Sequence, residues 1–404
     1  MRRAMRLRIC LTLTLTLAMA APAHGMGQTA GALDQQRQTA LALEQQGKNV
    51  EAEAAWRSYS NTHPSNPEPY AHLGLLEARQ EHYKEAVPLY HKALALNPKM
   101  PGLRLNLGLA LFKGGELKQA ILEFKPLIKS QPPGSPEAQR LNTLMGMAYY
   151  GLGEYAAAVP YLKQTAAHDA QDLPLRLDLA HSCLWAKQYQ CVLDTYHEIL
   201  ALNAESAEAD MLAGEAMDEM KDPSGAIQQF RAAVKVNPHE PGVHFGLGYL
   251  LWTQTQYPEA ASEFQTELDN NPNHVQALTY LGDAEMHLKH PELARPLLEN
   301  ALRIDAGQEL AHLDLGILLA DAGSRDDALR ELSVAAKLDP GDVNVHWRLG
   351  RLYRAMGKKD EANAEFGKAK SITSSADNAL INKVSNGHAA PGQTQHPVPA
   401  PADK

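Results

Sequence analysis

Residues 243–276 read VHFGLGYLLWTQTQYPEAASEFQTELDNNPNHVQ, and this stretch decides the fold. Leu247-Gly248 is followed twelve residues on by Ala260, Phe264 comes four residues later, and Asn271-Pro272 closes the stretch. The apolar residues between them recur at helical spacing, not at the two-residue alternation of strands. Gly248 and Ala260 let two antiparallel helices approach closely; a larger side chain at either place would push the pair apart. The large apolar residue is expected to fill the space between one hairpin and the next. Proline cannot continue a helix and restricts the residue before it, so Asn271-Pro272 marks a turn.

The same arrangement recurs on both sides. Leu73-Gly74, Leu107-Gly108, Met145-Gly146, Ala213-Gly214, Leu281-Gly282, Leu315-Gly316 and Leu349-Gly350 repeat the small-residue pair. From Gly146 onward the glycines are spaced by 34, or by 68 across the repeat in which Ala180 takes the slot. Ala86, Ala120, Ala158, Ala226, Ala294, Ala328 and Ala362 hold the alanine place, with Val192 the exception. Tyr90, Phe124, Phe230 and Phe366 hold the large apolar place, and Pro98, Pro132, Pro238 and Pro340 close their units.

A 34-residue period with this pattern resembles the tetratricopeptide-repeat (TPR) family. The resemblance covers residues 67–376 as nine units. A degenerate unit precedes them over 33–66, where Ala52, Trp56, Tyr59 and Pro64 fit but Ala40 replaces the glycine. Atypical terminal repeats act as caps. The resemblance implies an all-α fold, a right-handed superhelical α-solenoid of stacked antiparallel helix pairs. The phase breaks once, with a spacing of 38 between Gly108 and Gly146, the four extra residues falling in 131–136. Two readings fit: a longer loop at one joint, or a bend dividing a short N-terminal block from a longer C-terminal one. After residue 376 the pattern ends, and 377–384 is expected to form a short capping helix. Residues 386–404, with four prolines, cannot bury a core and are expected to be disordered.

The chain opens differently. Arg2, Arg3, Arg6 and Arg8 precede an apolar run at 9–20 (ICLTLTLTLAMA), which ends in Ala21-Pro22-Ala23. This is the layout of a secretory signal over residues 1–23, leaving 24–66 as an N-terminal segment. The apolar run is short for a membrane span, so none is expected after cleavage; the alternative is an uncleaved anchor. Removing four arginines takes the formal net charge from −9 to −13. An acidic mature chain is a poor candidate for nonspecific nucleic-acid binding, which draws on basic contacts to phosphate. The expected location is exported, periplasmic first and secreted second.

The 17 histidines call for a check of metal and catalytic motifs. His197-Glu198 opens like a zinc-protease motif, but Ala201 stands where the second histidine belongs. His239 and His244 straddle Pro241. No Walker-type loop, GxSxG elbow or CxxC pair occurs. The histidines read as solvated residues scattered on helix surfaces, and neither metal, cofactor nor enzymatic activity is expected. Cys183 and Cys191 fall on the two helices of one hairpin at roughly facing levels. In an oxidising compartment they form either a disulfide or two buried thiols.

In TPR proteins the first helix of each repeat lines a concave groove. Carrying the family's contact places onto this chain puts Phe112, Tyr150, Trp185, Phe245, Tyr249, Trp252, Tyr280 and Trp347 in that groove. Glu208, Glu215, Asp218 and Glu219 cluster in one repeat, and Asp283, Asp314 and Asp321 continue the acidic track. Arg348, Arg351 and Arg354 lie at the C-terminal end, while Arg79, Lys113 and Arg140 lie toward the N-terminal side. The alternative is that these aromatics pack against neighbouring repeats and the arginines form a solvated face. The Lys and Asn clamp of chaperone-tail-binding TPR domains is not matched, since Ala71 and Leu75 stand at its places and only Asn106 agrees. The function implied is an exported scaffold that binds a protein or peptide in its groove, in envelope assembly or secretion. The alternative is a glycan-binding module in envelope polysaccharide export, because aromatic faces also stack on sugar rings.

Overall fold

The computed structural model describes the backbone of residues 28–387 except 170, 203 and 204, and the side chains of 35–375 with the same exceptions. The expected signal at 1–23 and the tail from 388 lie outside the described residues. Within them the regular elements are twenty α-helices. The chain forms two compact units, Met1–Met220 and Lys221–Lys404.

The first unit contains α1 (Gln28–Gln45), α2 (Asn49–Thr62), α3 (Pro67–Arg79), α4 (Tyr83–Leu96), α5 (Leu103–Lys113), α6 (Leu117–Lys129), α7 (Pro136–Gly151), α8 (Tyr155–His168), α9 (Leu173–Trp185), α10 (Tyr189–Leu202) and α11 (Ala207–Glu219). The second contains α12 (Pro223–Val236), α13 (Val243–Thr253), α14 (Tyr257–Asn270), α15 (Val275–His287), α16 (Pro291–Ile304), α17 (Glu309–Asp321), α18 (Arg325–Leu338), α19 (Val343–Ala355) and α20 (Lys359–Gly387). Each helix packs on the next within its unit, so antiparallel pairs stack in chain order.

Local chemistry sets these boundaries. Inside the pairs, the turn needs one left-handed residue. Gly115, Gly153, Gly323 and Gly357 supply it, and Glu81, Lys187, Thr255 and Lys289 adopt the same positive φ where glycine is missing. At the joints, Asn and Asp side chains fold back on the backbone. Asn97 Oδ1 accepts from Lys99 N at 3.1 Å, Asn237 from His239 N at 3.1 Å and Asp339 from Gly341 N at 2.8 Å. Such turns stop the preceding helix. Ser135 and Asp172 cap α7 and α9 ahead of Pro136 and Pro174 in the first turn.

The packing within a pair refines the reading of the large apolar residue. Phe264 and Phe124 sit on the glycine of their own pair: a Cβ on Gly248 would lie 2.8 Å from the Phe264 ring, and one on Gly108 would lie 2.5 Å from Phe124, whereas Phe230 lies against Gly246 of the next pair, as expected. The glycine is therefore a seat for the aromatic ring. Phe124 and Phe264 are both fully buried.

The longer joint at 130–135 is a loop, not a division. One apolar cluster runs through it from Tyr70 and Leu107 to Leu144 and Ala148. The helix α20 also departs from expectation. It runs unbroken from Lys359 to Gly387, so no separate capping helix begins after 376. At the other end, α1 and α2 form a full helix pair around buried Trp56 and Ala52. Trp56 stacks on His72 at 4.4 Å and donates to Glu44, which also holds His72 at 2.7 Å.

Cys183 on α9 and Cys191 on α10 are joined by a disulfide, with Cα atoms 5.8 Å apart. Because it closes a short loop, its chain-entropy contribution is about 2.5 kcal/mol. Reduction should therefore lower the urea midpoint of the first unit by an equivalent amount. The check is urea unfolding with and without a reductant; identical midpoints would show that the bond adds no stability.

Candidate functional site

First helices of successive pairs touch at α3 with α5 and α9 with α11 in the first unit, and at α13 with α15, α15 with α17 and α17 with α19 in the second. A stack whose first helices crowd together curves toward them. That places their free faces on the inner side of the curve.

In the second unit this face carries an aromatic cluster. Tyr249 and Trp252 on α13 lie 6.1 Å apart, and Tyr280 on α15 meets them edge-on at 5.4 and 5.0 Å. Phe245 stands 6.3 Å from Tyr249 and 6.1 Å from Tyr280. The four rings are half-buried. The Trp252 Nε1–H donates to Asp283 Oδ2 at 2.5 Å, which fixes the indole against α15.

Carboxylates adjoin the rings. Asp283 and Asp314 are buried, 6% and 4% exposed. Burial, with Asp283 and Glu309 nearby, pushes the Asp314 carboxyl well above the ordinary range, and Arg348 only partly offsets this. Burial and the charges of Asp342 and Asp339 raise Glu309 to about 7. Further along, Trp347 is 48% exposed beside Phe366, at 4.8 Å. Arg348 and Arg351 line a cleft of about 390 Å³ with Asp321 and Arg325. No ion pair of Arg348 or Arg351 is found among the described residues.

The first unit carries a smaller group. Tyr150 meets Tyr155 at 5.7 Å, and Tyr155 stacks on Trp185 at 6.1 Å. Trp185 is 65% exposed. Burial raises Tyr150, and so do Asp178 and its hydrogen bond. Burial raises Asp178 to about 6 against the pull of His181. His181 bonds Glu208 at 2.9 Å. Glu215 is exposed, and desolvation by the surrounding protein holds its carboxyl above the ordinary range against the pull of His181. Asp218 is half-buried on the same helix.

Two expectations need correcting. Phe112 is only 7% exposed and belongs to the core around Leu107 and Phe124, so it offers almost no surface to a partner. The histidines are not simply scattered on the surface. His72, His244, His312 and His346 are buried, and the last three hold Glu263, Glu331 and Glu365 at 2.6, 2.7 and 2.6 Å. Each pair is nineteen residues apart, as are Arg104 and Glu123. This spacing brings the first helix of a pair onto its second, so these residues tie hairpins together. Tyr155, Asp178, Glu309 and the Trp252–Asp283 bond went unread in the sequence, because each depends on contacts between neighbouring repeats.

Among the described residues no group of three or more His, Cys, Asp or Glu side chains comes together as a metal site. No described helix is long and apolar enough to cross a membrane.

Comparison with known proteins agrees with this architecture. Profiles described as tetratricopeptide repeat match residues 77–144, 139–164, 218–273, 245–309 and 313–376, together more than half of the chain. BBSome complex member BBS4 of Bos taurus is 24% identical over 298 residues, covering 74% of this chain and 56% of that protein. TPR repeat-containing thioredoxin TTL4 of Arabidopsis thaliana is 25% identical over 219 residues, covering 50% of this chain and 31% of that protein. The chain thus spans about half or less of these relatives' lengths. Among solved structures, YrrB, described as a TPR protein with an unusual peptide-binding site, shares 22% identity at a TM-score of 0.38, covering 46% of this chain and 97% of its own. PilF of Pseudomonas aeruginosa shares 19% at a TM-score of 0.44, covering 49% of this chain and 89% of its own. On the repeat pattern, the stacked helix pairs and the matching profiles, the chain belongs to the tetratricopeptide-repeat family.

Proposed function

We propose that this protein is an exported interaction scaffold that binds a polypeptide along the first-helix faces, in cell-envelope assembly or secretion. The observation that carries the reading is the half-buried cluster of Phe245, Tyr249, Trp252 and Tyr280. Such rings combine large contact area with few rotatable bonds, which suits interface anchors. Export rests on the charged and apolar pattern of residues 1–23. The curated relative BBS4 is described as a member of a protein complex, which agrees with a scaffold role.

The test is affinity capture from envelope extract, using the chain from residue 24 beside a Trp185→Ala, Tyr249→Ala, Trp252→Ala variant of unchanged helicity. Quantitative mass spectrometry should show at least one protein reduced roughly tenfold on the variant, the equivalent of about 1.4 kcal/mol. Identical captures would count against the aromatic face. A response on a glycan array that disappears in the same variant would favour the polysaccharide reading, for which the exposed Trp185 and Trp347 rings are the structural motive.

A further inference from the structure

The arginines at the C-terminal end of the second unit lack what other arginines of this chain have. Arg37, Arg104, Arg231 and Arg295 each hold a carboxylate oxygen, at 2.6, 2.8, 3.0 and 2.7 Å. Arg325, Arg348 and Arg351 form no ion pair among the described residues, and all three line the one cleft of about 390 Å³. Arg348 stands near Asp314, yet no ion pair joins them and Asp314 Oδ2 has no hydrogen-bond donor. The one carboxylate among the lining residues is Asp321, and it too forms no ion pair. Three guanidinium groups against one carboxylate leave the wall with a charge of 3 − 1 = +2.

The placement of the cleft narrows what it can hold. Asp321 belongs to α17, and Arg348 and Arg351 belong to α19, two first helices that touch; Arg325 joins them from the start of α18. Buried Leu332 and Leu352 also line it, so a group that enters leaves part of its water behind. Guanidinium groups hold a carboxylate through paired, charge-assisted hydrogen bonds. A doubly charged phosphate is the poorer fit, because Asp321 stands in the wall and Asp314 lies near Arg348. Trp347 is 48% exposed and lies one turn from Arg351 on α19, which sets an aromatic surface beside the charge. Along the same face Asp283 and Asp314 occupy α15 and α17, so the sign of charge reverses toward α19. Such a reversal orients a bound chain.

We propose that the cleft of Arg325, Arg348 and Arg351 seats the carboxylate of an aspartate or glutamate side chain of the polypeptide bound on the first-helix face. This rests on the polypeptide reading and adds its chemistry and direction: the partner places an acidic residue at the α19 end of the second unit.

Nonapeptides that bind the full chain are selected from a random display library. Those with an aspartate or glutamate are made with a fluorescein label, each beside a form in which the amide replaces the acid, and binding is read by fluorescence polarisation. The acidic form should bind roughly tenfold tighter than the amide form, as loss of a charge-assisted hydrogen bond predicts. In Arg325→Gln with Arg351→Gln, two exposed positions, the two forms should bind within about twofold of each other, the coupling expected of groups in contact. The full preference should persist in Arg303→Gln with Lys337→Gln, which removes two exposed charges from the second helices α16 and α18. Selected peptides without acidic residues, or with no preference for acid over amide, whose binding is lost in Tyr249→Ala with Trp252→Ala, would overturn the carboxylate site and leave the polypeptide reading in place. A library from which nothing binds would overturn both. A preference unchanged in Arg325→Gln with Arg351→Gln, or displacement of the acidic peptide by an equal concentration of inorganic phosphate, would also overturn the assignment.

Discussion

Replacing Phe264 by alanine is expected to destabilise the second unit by about 3 to 5 kcal/mol, the cost of a large cavity in a packed core. The ring is fully buried and lies on Gly248, where it takes the space a side chain would otherwise fill. Its centroid is 5.9 Å from Phe245 and 6.0 Å from Tyr280. The cavity would therefore open directly beneath the aromatic face. In a stacked array each pair contacts only its neighbours, so the loss should be local. Amide hydrogen exchange is the measurement that resolves this. Protection should fall across α13 to α15 and stay unchanged in α3 to α6. By contrast, Leu293→Ala on the exposed side of α16 should change stability by no more than about 0.5 kcal/mol. A uniform loss of protection along the chain would contradict repeat-wise packing.

Asp314→Asn should raise stability at pH 8 by on the order of 1 to 3 kcal/mol, the cost of a buried polar group without its partner. The groups that face Asp314 are Asp283 from α15, Glu309 from its own helix and Arg348 from α19; burial and the two acids outweigh the arginine. A carboxyl raised in the folded state binds its proton there at pH values where the unfolded chain has lost it. Its contribution is thus greatest below the unfolded pKa of about 3.9 and falls as pH rises through the folded value. Glu309, raised to about 7, acts in the same sense between about 4 and 7. Thermal melts from pH 4 to 8 should show the wild type losing more stability than the variant. If the two curves run parallel, Asp314 is not held protonated by its surroundings.

The helix pairs were legible because most units repeat the same small, large and turn residues in phase, so that the exceptions at Ala180 and Val192 are still placed by their neighbours. Gly248, Ala260, Phe264 and Asn271-Pro272 each answer to a local physical demand, and repetition in phase makes the signal specific. The first-helix aromatics were legible only through the TPR register. That register places Tyr249, Trp252 and Tyr280 together but misplaces Phe112, since it fixes the helix face and not how deeply neighbours cover it. The carboxylate pair was legible as an acidic track and not as a buried one: the burial of Asp314 depends on the packing of α15, α17 and α19. The paired histidines had a usable signal, the nineteen-residue spacing from His244, His312 and His346 to glutamate. The helix expected over 377–384 was read as separate, and its continuity with α20 was not legible, because the repeat pattern that marks the earlier helices ends at 376.

The most direct measurement places a photocrosslinking residue at Trp347 on the first-helix face and, separately, at Leu293 on a second helix of the same unit. The two positions are equally accessible, at 48% and 50% exposed, so reactivity differs only by which face the partner occupies. Irradiation in envelope extract should give a specific protein adduct from position 347 and none from 293. An adduct from 293 alone would place the partner on the opposite face and contradict the account.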